Sequence, residues 1–258
     1  MIDLGEWRLL AIFFFGLIGA IIFSEVGRLL VRRRRVGKGT DLETLETAIL
    51  GMLALMIGFT FAVALSRFDA RREALLHEAN AIGTAALRAR LLPSPHSEEA
   101  RGLLHEYGEI RLSFIQNMPS GEKRKNANAR LNQIREALWS TIKGVAETEK
   151  NIVPIGVFVQ AVNEMLDSQG RHTFALESGV PNAVFWALYG IGAVAFLFVG
   201  YANGLQAQSL RIPVYLIAAV VSGLIVLIQD LDRPTVGFIN VNQTPMIDAV
   251  RDIVSRTD

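Results

Sequence analysis

Residues 51–83 read GMLALMIGFTFAVALSRFDARREALLHEANAIG, and the way this stretch changes character decides the fold. From Ala48 to Leu65 the chain is apolar, with Thr60 as the single polar side chain. A run of that length matches the roughly 20 apolar residues needed to cross a bilayer. It does not end in a turn. Leu65, Phe68, Arg72, Leu75, Ala79, Ile82, Ala86 and Ala89 continue at alternating steps of three and four, the spacing of one helix face. Nothing interrupts the pattern before Pro93. The spacing predicts one helix over 48–92, roughly 68 Å long at 1.5 Å per residue. Its second half therefore has to leave the hydrocarbon layer and join a water-exposed domain.

Working outward, three further blocks satisfy the same length rule: Leu9–Val31, Ala183–Ala202 and Ile212–Ile228. The first is read as a retained span. It ends in arginines instead of beginning with them, and no small-residue cleavage pattern follows. The 258 residues are 51% hydrophobic and 20% charged, with a mean hydropathy of +0.33, because apolar blocks alternate with charged ones. The 26 basic and 25 acidic side chains nearly balance, which argues against a nucleic-acid partner. Absence of cysteine removes disulfides, thiolate zinc sites and thiol catalysis.

The expected fold is an all-α integral membrane protein. It has four transmembrane helices, a helical extramembrane bundle inserted between the second and third, and a second helix that extends into the bundle. The expected divisions are a tail at 1–8, spans one and two at 9–65 with a basic loop at 32–47, the helical domain at 66–182, spans three and four at 183–230, and a tail at 231–258. Within the domain, Pro93-Ser94-Pro95 ends the long helix, and Ser97 followed by Glu98 and Glu99 reads as the next N-cap. Leu103, Tyr107, Ile110 and Phe114 form one apolar stripe. After the turn Pro119-Ser120-Gly121, Leu131, Ile134, Leu138, Ile142 and Val145 form another. Asn151 with Pro154 marks the start of a shorter helix carrying Ile155, Phe158, Val159, Val162 and Met165. Only 236–241 reads weakly as a strand.

Arg32–Arg35 and Lys38 form the densest basic cluster, which places that loop in the cytoplasm and the chain in the inner (plasma) membrane. Arg8, Arg67, Arg71, Arg72 and Arg233 flank the opposite side, so the margin is small. His77, His96, His105 and His172 are scattered and read as solvated surface groups; no metal-ligand spacing, nucleophile elbow or phosphate-binding loop is present. No cofactor and no enzymatic activity are expected. Gly200 and Gly204 form a GxxxG pair suited to close helix packing.

The Gly58-Phe59 pair, the small and apolar residues after it, and Arg67-Phe68 nine residues beyond the glycine resemble the second transmembrane helix of bestrophins. Asp69 and Arg71 fit the acid and second arginine often found there. The whole chain, including Asp230-Leu-Asp-Arg-Pro234 after the last span, is similar to the bacterial bestrophin-like family of unknown function. That resemblance implies a cyclic homo-oligomer, in bestrophins a pentamer, whose second helices line an anion-conducting pore for small ions. Gly51, Leu55, Phe59 and Val63 recur every four residues and would present apolar rings to an axis, gating by dewetting. Gly51 stands where bestrophins carry a bulky neck residue, leaving two rings at best. The same stripe would equally serve helix packing. Arg67, Asp69, Arg71 and Arg72 would concentrate anions at the pore mouth or form a solvated collar. Glu25 and Arg28, three apart near the end of the first span, would pair within the membrane or snorkel. Asp230 and Asp232 are weak candidates for a cation site. The competing reading is a membrane-anchored sensor or scaffold without conductance.

Overall fold

A computed structural model describes residues 4–33, 41–205, 211–234 and 237–255. The chain forms eight helices among the described residues: α1 Leu4–Arg33, α2 Asp41–Ala89, α3 His96–Asn117, α4 Gly121–Thr148, α5 Ile152–Glu177, α6 Asn182–Leu205, α7 Arg211–Asp232 and α8 Thr244–Ser255. Four of them contain stretches long and apolar enough to cross a membrane, and the protein is a multi-pass membrane protein of all-α class. Proline placement fits this plan: Pro154, Pro213 and Pro245 each lie in a first helical turn, where the missing N–H has no partner to lose.

Two compact units result. The first comprises residues 1–68 and 179–240 and contains α1, the apolar part of α2, α6 and α7. Here α1 and α6 approach to backbone contact. A Cβ on Gly200 would lie 1.9 Å from the Ser24 carbonyl oxygen, and one on Gly27 would lie 2.1 Å from that of Leu197. The GxxxG pair thus does what its spacing predicted, since only glycine permits this separation. The α2 helix joins through Leu53, packed with Leu188, Ala195 and Ile225, and through Ala64, packed with Val180, Ile228 and Leu231. The outer faces carry exposed apolar side chains such as Phe15 and Ile18. Water would penalise such a surface and hydrocarbon does not.

The second unit comprises residues 69–178 and 241–258 and holds the rest of α2 with α3, α4, α5 and α8. Its core is one cluster, with Ile82, Leu104, Ile134, Leu138, Phe158 and Met165 fully enclosed. Asn151 caps α5 by accepting a hydrogen bond from the Val153 N–H, as its position before Pro154 implied.

Several expectations need correction. The α2 helix begins at Asp41, seven residues before the apolar run, and ends at Ala89, with a turn over 90–92. Ser97 is not the N-cap of α3: the helix starts at His96, the capping position is Pro95, and Ser94 Oγ instead donates to Glu98 at 3.0 Å. The α5 helix is 26 residues, not short. No strand occurs among the described residues, and 235–236 lie outside them. The segment 231–258 is more than a tail, because α8 buries Met246, Val250 and Ile253 in the second unit, and Val250 packs against Gly108 of α3. The basic loop beyond Arg33 lies outside the described residues.

Candidate functional site

The candidate pore stripe lies on α2, and helix geometry decides which of its residues remain available. Leu53, Thr60 and Ala64 point into the first unit and are buried, and the Thr60 hydroxyl donates to the Met56 carbonyl at 2.7 Å. Gly51, Leu55, Phe59 and Val63 share a different face, and all four are exposed. Leu55 is 59%, Phe59 63% and Val63 44% accessible. The packing reading of this stripe is therefore not met within the chain itself. Beyond Gly51 a Cβ would meet no atom within 4 Å, so the small residue leaves open space on the same face.

The charges that follow separate into two groups. Arg67, Asp69 and Arg72 are exposed, whereas Arg71 is only 1% accessible. Arg71 is thus no part of a solvated collar. The buried face in the second unit carries Leu75, Ala79, Ile82, Ala86 and Ala89, as their spacing predicted, together with Arg71, Glu78 and Ala85, whereas Arg72 of the same stripe is exposed.

That face brings Glu78 into the bundle core, where it meets Arg111 and His172 from two other helices. Arg111 of α3 donates to Glu78 through Nε and, at 2.9 Å, through Nη2. His172 of α5 donates through Nδ1 at 2.5 Å. Glu78, Arg111 and His172 are all at least 97% enclosed, so His172 is a core group and not a solvated one. Burial alone would push the Glu78 carboxyl up. The hydrogen bond from His172 and the charge and hydrogen bonds of Arg111 outweigh it and hold the group below its ordinary value. Beside them Tyr107 donates to Gln169 at 2.9 Å, and burial pushes its hydroxyl up. Sequence reasoning missed this cluster, although its signal was present: an acid and an arginine at core positions of an otherwise apolar heptad pattern.

Near the far end of α1, Arg28 Nη1 lies 3.1 Å from Glu25 Oε1, and Tyr215 of α7 donates to the same oxygen at 2.5 Å. Arg28 is 6% accessible, so the pair is formed inside the first unit and does not snorkel. Asp230 and Asp232, the candidate cation ligands, are both engaged by backbone N–H groups. Asp230 accepts from the Phe238 and Ile239 N–H groups, at 3.0 Å each, and Asp232 accepts from the Val180 N–H at 2.8 Å. Each carboxylate fastens a different loop, and no metal-holding group of acids and histidines occurs among the described residues.

Four spans, an apolar helix face left uncovered, and a helical domain between spans two and three define a class of multi-pass helical membrane protein. The chain belongs to the Bestrophin-like family: the Bestrophin-like domain matches residues 13–246. No curated protein sequence matches it. Its fold resembles that of a bacterial bestrophin homolog from Klebsiella pneumoniae. One variant structure of that protein is 15% identical, with a TM-score of 0.69, and covers 93% of this chain and 97% of its own. Another is 14% identical with a TM-score of 0.70, covering 96% and 98%. A third, solved by zinc phasing, is 17% identical with a TM-score of 0.64, covering 95% of both chains.

Proposed function

We propose that the chain is the subunit of a cyclic homo-oligomeric ion channel whose α2 helices line an axial pore. The carrying observation is the exposure of Leu55, Phe59 and Val63 on a helix whose opposite face is packed. Rings of these side chains would form an apolar constriction that passes ions only when wetted. The ring and its pentameric count rest on the family resemblance and on the need of this face for neighbours. Arg67 and Arg72, with Asp69 between them, would bias the ion supply at the mouth toward anions. The protein would sit in the inner membrane with the 32–38 loop in the cytoplasm.

Reconstitution of the purified protein into liposomes tests the reading. Ion flux is expected, and Phe59→Ala is expected to raise it several-fold by widening the constriction. Vesicles that stay tight across several ions and pH values would overturn the proposal. So would a ring in which Phe59 faces lipid.

A further inference from the structure

At one edge of the first unit a cleft of about 410 Å³ opens between the start of α6 and the end of α7. Phe185, Trp186 and Tyr189 line it from α6, and Gln229, Asp232 and Arg233 from the end of α7. Its volume lies in the usual range for small-molecule sites, roughly 300–1,000 Å³. Gln229 Nε2 donates to the Tyr189 hydroxyl at 3.1 Å, which fixes the two walls to each other. Asp232 is held from behind by the Val180 N–H. The cleft is therefore built from secured elements, not from loop tips.

Topology sets its depth in the membrane. With four crossings, the start of α1, the start of α6 and the end of α7 share one face of the bilayer. Two of the three tryptophans of the chain, Trp7 and Trp186, lie at that level and are 60% and 74% accessible. Exposed tryptophan is characteristic of the headgroup region. Arg233 is pushed below its ordinary value by burial and by the like charge of Arg8, against the opposing attraction of Asp230.

We infer that this cleft holds the headgroup of an aminophospholipid, with the phosphate on the Arg233 guanidinium and the primary ammonium between the Asp232 carboxylate and the Trp186 ring. Both charge signs lie on adjacent residues, which suits a zwitterion better than a purely anionic headgroup. The acid also discriminates by hydrogen bonding, because a primary ammonium has N–H groups to donate and a choline headgroup has none. The aromatic face adds cation–π attraction to the same end.

Native mass spectrometry of the full chain in detergent, offered phosphatidylethanolamine, phosphatidylcholine and phosphatidylglycerol in turn, reads the preference directly. Phosphatidylethanolamine is expected to be retained about five-fold better than either of the others. Arg233→Gln and Trp186→Leu should each abolish that advantage while leaving the lipid-free melting temperature unchanged, which separates lost binding from lost folding. Soluble phosphoethanolamine should fail to displace the lipid, since the site lies at the bilayer edge. Equal retention of the three lipids, a preference for phosphatidylglycerol, unaltered retention by both variants, or displacement by phosphoethanolamine would each overturn the inference.

Discussion

Replacing Glu78 by Gln tests the reasoning about the bundle core most directly. The substitution keeps size and one acceptor but removes the charge that faces Arg111 and His172. Arg111 is 3% accessible, so its guanidinium has no route to water and would be left uncompensated. Breaking a buried pair from one side costs about 3–5 kcal/mol. For a unit of roughly 130 residues, about 4 kcal/mol lowers the melting temperature by about 12–20 °C. Acid should act similarly, with a defined sign. The Glu78 carboxyl is held below its ordinary value of 4.5, so its contribution is complete above that pH and is lost as pH falls through the lower folded value. Between pH 8 and 5 this residue should therefore change nothing. The assay is tryptophan fluorescence of the full protein in detergent during heating, since Trp139 packs against the core of the second unit. A Glu78→Gln protein that melts within about 1 kcal/mol of the parent would refute an ionised clamp. Replacing all three groups together, as Glu78→Leu, Arg111→Met and His172→Leu, should recover most of the loss, because a well-packed apolar set avoids the desolvation cost.

Two further outcomes follow from the glycine seam and the carboxylate anchors. Gly200→Val should prevent α1 and α6 from docking, since even a Cβ would meet the Ser24 carbonyl at 1.9 Å, whereas Gly190→Ala, with nothing within 4 Å, should leave the purified yield unchanged; equal yields would contradict the seam. Asp230→Ala leaves the Phe238 and Ile239 N–H groups without their acceptor and should cost about 1–3 kcal/mol. Chelation of divalent ions should leave the melting temperature of the parent unchanged, and a chelator-induced fall would contradict the loop-anchor role.

The sequence by itself determined that four segments cross a membrane, because length and hydropathy alone satisfy or fail the bilayer. It also determined that the second segment continues as a helix, since neither a glycine cluster nor a proline interrupts 48–92. The glycines at 200 and 204 were legible for a similar reason, as small residues one turn apart permit one kind of packing. Their partners were not legible, because Ser24, which faces Gly200, and Arg28, which faces Gly204, each lie 176 residues away and no local pattern names them. The rest depended on which helix face turned inward. Leu75, Ala79, Ile82, Ala86 and Ala89 turn inward as their spacing predicted, but so do Arg71 and Glu78, and Glu78 meets Arg111 and His172 in a core shared by α2, α3 and α5. Composition cannot decide that, since charged side chains at helical spacing look alike whether they face water or each other. Asp230 and Asp232 make the same point. Two acids in one short stretch suggest a shared ligand, and only the folded backbone shows that each already accepts N–H groups from a different loop.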